Sequence, residues 1–326
     1  MNNFVHFLVA AVLAGTPLLF GTLGEILTEK SGNLNLGVEG MMFMGGIGGF
    51  MGSFYYEQSA SLPSGFMSAL IGVACAFLFA AFGAFIYSIL TISLRANQNV
   101  SGLALSIFGI GLGNFLGEAM SNSAGGVAAV SSVTKNAFNL GLPGLSEIPL
   151  VGKLLFSYNF MVYLAVLIAL IMAWLINHST AGLSIRAVGE NPATADAAGI
   201  NVTKCKYLAT VVGGGICGIG GIYVVMNSSN GVGGVWVHNC ISGQGWIAVA
   251  LVIFATWNPM RALYGSLGFG ALSVMRLYVR LNISAQIYDM FPYIATILVL
   301  IAVSMRRKRE NQPPGSLGNA YFREDR

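Results

Sequence analysis

The chain alternates long apolar stretches with short polar interruptions. An apolar helix of about twenty residues, rising 1.5 Å per residue, crosses a hydrocarbon layer of about 30 Å. By that measure the pattern predicts nine spans, at 5–23, 34–55, 66–94, 100–116, 158–176, 207–226, 241–256, 263–279 and 287–305. The expected fold is an all-α polytopic membrane protein with about nine transmembrane helices, in a range of eight to ten. The range allows for a half-helix near 30–45 or 120–133. Residues 1–305 form the expected membrane domain, and 306–326, charged and containing Pro and Gly, a disordered tail.

The polar interruptions carry most of the information. Glu25, Glu29 and Lys30 mark the exit of the first span, and a polar hinge, SGNLN, follows. Glu39 stands near the start of the second. A Gly- and Ser-rich stretch over 118–157 is expected to be an ordered loop, with a re-entrant piece around 125–133. The longest interruption in the second half is the loop 178–206. Within it, ENPATADAAG reads as one short helix with both ends marked. Asn191 suits the N-cap, Pro192 the first helical position, and Gly199 the left-handed position past the end. Two turns of helix are marginal alone in water, so this one is expected to dock on something.

Composition agrees with a membrane protein. The chain of 326 residues is 55% hydrophobic and 9% charged, against about 25% charged in soluble domains. Its mean hydropathy is +0.73. The 43 glycines favour close helix packing. The N-terminal segment has no basic region before its apolar run and is read as a retained span. Net charge is +4, mainly from the basic cluster 306–309. Placing that tail in the cytoplasm puts Lys30, Arg95, Arg186, Lys204, Lys206 and Arg261 on the same side, with Lys135, Lys153 and Arg280 opposite. The N-terminus is then outside, and the loop 178–206 faces the cytoplasm as a rigid knob suited to taking force from a soluble partner.

Candidate chemistry is sparse. GGGICG at 213–218 matches a dinucleotide fingerprint but lies inside an apolar span, where it reads as helix packing. No phosphate-binding G-x-x-x-x-G-K-[ST] sequence occurs, so the chain is expected to have no ATPase site and no cofactor of its own. His6, His178 and His238 are far apart, and Cys75, Cys205, Cys217 and Cys240 lack ligand spacing, so no metal site is expected. Glu39 is the acid of most interest. It either lines a pathway, or caps and braces the broken backbone around Gly37 and Gly40. Asn35, Asn99 and Asn114 are candidate pathway residues, and equally could satisfy neighbouring helices.

GEILTEKSGNLNLGVEGMMFMGG (24–46) resembles the signature of permease subunits of ABC importers for simple sugars and nucleosides. GLSIRAVGENPATADAAGINV (182–202) is similar to that family's cytoplasmic coupling loop. QNVSGLAL, SGQGWIAVALVIFATWNP and FPYIATILVL are similar to its later blocks, so the resemblance covers nearly the whole chain. The form SGNLNLGVEGMM resembles the shorter permease type of the nucleoside branch. The resemblance implies a second, non-identical permease, two ATPase subunits that bind ATP and magnesium, and a periplasmic or lipoprotein substrate-binding protein. It implies residence in the bacterial inner membrane among lipids, and no nucleic-acid partner. By position, 192–198 would be the coupling helix, with Arg186, Gly189, Glu190, Asn191, Pro192, Ala195, Asp196 and Gly199 forming the ATPase contact. Nucleoside import is the expected function. A permease for ribose- or galactose-like sugars, and an ion-coupled secondary transporter using Glu39, are the alternatives.

Overall fold

The computed structural model describes residues 2–139, 156–227, 233–279, 284–305 and 312–322. The basic positions Lys153, Arg280 and 306–309 lie outside the described residues. Among those described there are twelve α-helices and one π turn. In chain order they are α1 (Asn2–Lys30), α2 (Val38–Ser59), α3 (Gly65–Ser88, extended by the π turn Ile89–Ser93), α4 (Gln98–Ser123), α5 (Ser132–Asn139) and α6 (Phe160–His178). The remainder are α7 (Thr180–Glu190), α8 (Pro192–Ala197), α9 (Val202–Met226), α10 (Gln244–Phe254), α11 (Pro259–Tyr278) and α12 (Ala285–Met305). Five of them, α1, α3 with its π turn, α4, α6 and α9, are long and apolar enough to cross a membrane. The fold is that of an all-α polytopic membrane protein.

The glycine-rich helix α9 is the centre of the bundle and packs on α1, α2 and α3. Its backbone comes so close to α2 that a Cβ added at Gly45 would lie 2.2 Å from Gly218 Cα. A Cβ at Gly221 would lie 1.9 Å from the Met42 carbonyl oxygen. The glycine runs therefore serve backbone contact between helices, where dispersion across close surfaces supplies the attraction that lipid denies to larger apolar side chains. Outward-facing Leu78, Phe82, Ile107, Phe115 and Leu167 are exposed on α3, α4 and α6, as expected of a lipid-facing surface.

Four expectations change. The first span does not end at Glu25. α1 stays helical to Lys30, with Glu25 0% and Glu29 2% exposed. The stretch expected as a seventh span is the eleven-residue α10, roughly 16 Å long and too short to cross alone. No half-helix forms over 124–131. Residues 122–127 are exposed, a bridge joins Ala129 to Val235, and α5 follows. Residues 312–322, which composition assigns to a disordered tail, fold back along the loop between α6 and α9. Ser316 donates both its amide (2.9 Å) and its hydroxyl (2.7 Å) to the Gly189 carbonyl.

Candidate functional site

Local capping determines the loop 178–206. Ser179 accepts from the Gly182 amide at 2.9 Å and starts α7. Asn191 accepts from the Thr194 amide at 3.1 Å and starts α8, with Pro192 at its first position. Gly199 closes the turn at φ +84°, where its missing side chain removes the left-handed penalty. Asn201 then accepts from the Lys204 amide at 2.9 Å and starts α9. These successive side-chain caps make the segment rigid.

The loop is seated rather than suspended. Val188, Ala195 and Val202 form a small buried cluster, one from each of α7, α8 and α9. Gly189 lies against the end of α1, where an added Cβ would be 2.2 Å from the Lys30 carbonyl oxygen. Glu190 is exposed and accepts from the Gly315 amide at 3.3 Å. Asp196 accepts from the Tyr321 hydroxyl at 2.9 Å. Arg186 is half-buried in a cavity of about 330 Å³ shared with Lys30 and Glu190, and its Nε has no acceptor. Asn191, Thr194, Ala197 and Ala198 remain exposed, so the outer face of α8 is small, rigid and uncovered. α8 is followed after four residues by α9, which runs roughly 37 Å into the core. The turn 198–201 thus leads from α8 into the core helix that packs on α1, α2 and α3.

A second constellation surrounds the expected signature. After α1 the chain turns back and re-enters the bundle without helix, over 31–37. Val38 lies level with Gly21, since a Cβ there would be 3.6 Å from Val38 Cγ1. That level is roughly 14 Å before the end of α1. Non-helical backbone at such depth requires partners, and side chains from neighbouring elements supply several. The Leu34 amide donates to Gln98 (2.7 Å) and the Asn35 amide to Glu25 (3.1 Å). The Gly37 amide donates to the Asn35 side chain (2.8 Å). The Leu34 carbonyl accepts from Tyr87 (2.5 Å) and the Leu36 carbonyl from Ser106 (2.8 Å).

Glu39, 3% exposed, points across to the N-terminus of α10. Its Oε1 accepts from the Gly243 amide at 2.8 Å and its Oε2 from the Gly245 amide at 2.6 Å. A carboxylate at a buried helix N-terminus satisfies orphan amides and opposes the positive end of the helix dipole. Glu39 thus braces broken backbone, though at 243–245 rather than at Gly37 and Gly40. At the other end of α10, the Trp257 indole donates to Glu29 at 2.5 Å. This half-helix is tied to the first helical hairpin at both ends.

The four sequence-predicted pathway residues do not form one cluster. Asn35 joins Glu25 within the re-entering segment, with its Nδ2 also donating to that carboxylate at 3.1 Å. Asn99 is exposed near the start of α4. Asn114 pairs with Asn239 at 2.9 Å. Sequence reasoning missed Glu25 and Tyr87 as groups that hold the re-entering segment, and Glu29 as the acceptor for Trp257. The one available signal was the polar-apolar alternation of SGNLNLG directly after two acids. Among the described residues, no group of three or more His, Cys, Asp or Glu side chains is placed to hold a metal ion.

Comparison with known proteins matches residues 7–300 to the family described as "Branched-chain amino acid transport system / permease component". TsgC13 of Haloferax volcanii, whose name assigns it provisionally to a glucose ABC transporter, is 35% identical over 99% of both chains. The guanosine ABC transporter permease protein NupQ of Bacillus subtilis is 32% identical over 89% of each chain. The nucleoside ABC transporter permease protein NupC of Lactococcus lactis is 30% identical over 91% of this chain and 92% of its own.

Proposed function

The chain belongs to this permease-component family of ABC transporters, and from that membership we propose that it translocates nucleosides across the bacterial cytoplasmic membrane by alternating access. The observation that carries the mechanism is the capped, outward-facing α8 at the head of the core helix α9. ATP is bound and hydrolysed by a separate ATPase subunit. Closure of the ATPase pair moves α8 through its exposed face, with Arg186, Gly189, Glu190, Asn191, Pro192, Ala195, Asp196 and Gly199 setting its shape and seat. The shift passes along α9 into α1 and α2, and the re-entering segment with Asn35 and Glu39 changes register against α10. Asn99 and Asn114 line the route on α4. A second, non-identical permease completes the pathway, and a substrate-binding protein delivers the solute from outside. The basic end of the bundle and the C-terminus lie in the cytoplasm.

Nucleosides are favoured as substrate by the form of the 24–46 signature and by the names of two of the three relatives. Glucose is the second reading, since TsgC13 matches over nearly its full length. Uptake of labelled guanosine and labelled glucose, in cells expressing the complete transporter, separates them. Guanosine uptake that persists after the ion gradients are collapsed with ATP maintained supports the proposal. Uptake of glucose alone assigns the sugar reading. Uptake that stops with the gradient would refute ATP-driven import.

A further inference from the structure

Lys206 is 3% exposed, and no carboxylate or hydrogen-bond acceptor contacts its ammonium among the described residues. Its side chain lines a cavity of about 650 Å³ at the basic end of the bundle. Two more cations, Arg95 and Lys204, line the same cavity, against one carboxylate, Asp196. That carboxylate is engaged by Tyr321 at 2.9 Å. The buried Asn33, also in the wall, donates to Thr210 at 3.2 Å. The N-terminus of α9 opens on the cavity too. Asn201 occupies the Lys204 amide, so the amides of Val202 and Thr203 have no acceptor from the helix. The walls are fixed elements: Ser93 and Tyr207 close one side at 2.5 Å, and Arg95 stacks over the Phe322 ring at 4.5 Å.

The Lys206 ammonium opens on the cavity from an otherwise buried side chain and has no counter-charge there, so an anion in the cavity would stabilise it. Three cations around a helix N-terminus suit a phosphate, with several acceptor oxygens, better than a single carboxylate. A neutral nucleoside or sugar offers acceptors but no counter-charge, so the site suits an anion better than the proposed solute. We propose that the cavity is a binding site for a phosphate-bearing anion, held by Lys206, Arg95, Lys204 and the start of α9. Because one wall is the turn after α8 and the opposite wall the π turn beyond α3, the bound phosphate bridges the coupling segment to the bundle. The same chemistry comes from two sources, an anionic phospholipid headgroup at the membrane surface or a soluble phosphate.

The test uses the full chain with its co-purifying subunits, in nanodiscs of phosphatidylcholine alone or with phosphatidylglycerol. Thermal unfolding and native mass spectrometry are read with and without inorganic phosphate. Stabilisation and a retained adduct with phosphatidylglycerol, undiminished by phosphate, assign the lipid source. Stabilisation by inorganic phosphate in phosphatidylcholine alone assigns the soluble source. In either case Lys206→Gln and the surface substitution Arg95→Gln each weaken the response by on the order of tenfold. Arg95→Gln serves alone if Lys206→Gln does not fold. No adduct and no shift with either probe, or a response unchanged in both variants, would overturn the site.

Discussion

Replacing Gly189 with Ala adds one methyl group at the seat of the coupling loop. The added Cβ would lie 2.2 Å from the Lys30 carbonyl oxygen and 3.1 Å from its carbon. A carbon-to-carbonyl-oxygen contact settles at about 3.3 Å, so the loop must lift from α1 by about 1 Å. Both partners are backbone, so no side-chain rotation relieves the clash. Overpacking of this kind costs about 1–3 kcal/mol. If the ATPase engages α8 only in its seated position, that cost falls on the coupled state and uptake drops by about 5- to 150-fold. Gly199→Ala is the control. Its Cβ would meet nothing within 4 Å, and only the left-handed φ of +84° opposes it. Its penalty is about 1–2 kcal/mol, confined to the end of α8. The assay is solute uptake and ATP hydrolysis in proteoliposomes containing the whole transporter, normalised to folded protein. The account expects Gly189→Ala to lose uptake more than Gly199→Ala while both fold. Wild-type uptake by a folded Gly189→Ala transporter would refute the argument that the seat of α8 matters.

Other outcomes follow from the same geometry. Glu39→Gln replaces an acceptor oxygen by a carboxamide NH2, a donor that faces the donor amide of Gly245 or Gly243, and should destabilise the purified transporter by about 1.5–3 kcal/mol; an unchanged midpoint in detergent would remove Glu39 as the brace of α10. Trp257→Phe strips the donor from the buried Glu29 carboxylate and should cost about 1–3 kcal/mol, read as a lower thermal midpoint, with little effect expected from Trp246→Phe, which is 38% exposed. Ser316→Ala removes the hydroxyl contacts to Val188 and Gly189, and should speed hydrogen exchange at Gly315 and Ser316 while leaving the exchange of α9 unchanged.

How much of this was legible in the sequence depended on the range of the interactions. The α8 caps are local: Asn191, Pro192 and Gly199 act within a few residues, so their types and spacing sufficed. The glycine runs of α2 and α9 likewise announce close packing, although not which glycine meets which. Glu25 and Glu29 were misread as a helix exit because acids normally end an apolar run. Their burial is made possible by Asn35, which arrives only after the chain reverses, and by Trp257, 228 residues away. The expected span 241–256 overran α10 at both ends: the helix starts only at Gln244, after a turn with Gly243 at φ +83°, and stops at Phe254, before Thr256 and Trp257 at φ +49° and +54°. The docking of 312–322 was hidden by range, since Ser316 and Tyr321 find partners 127 and 125 residues earlier in the chain.

The central claim is that α8 carries motion between an ATPase and the core helix α9. Its most direct test replaces 192–198 with a Gly–Ser linker of equal length in the complete transporter, then measures ATP hydrolysis and solute uptake on the same proteoliposomes. The account predicts an intact, co-purifying membrane subunit in which uptake is abolished and any remaining hydrolysis no longer responds to the loaded binding protein. Uptake at the wild-type rate per ATP hydrolysed would contradict it.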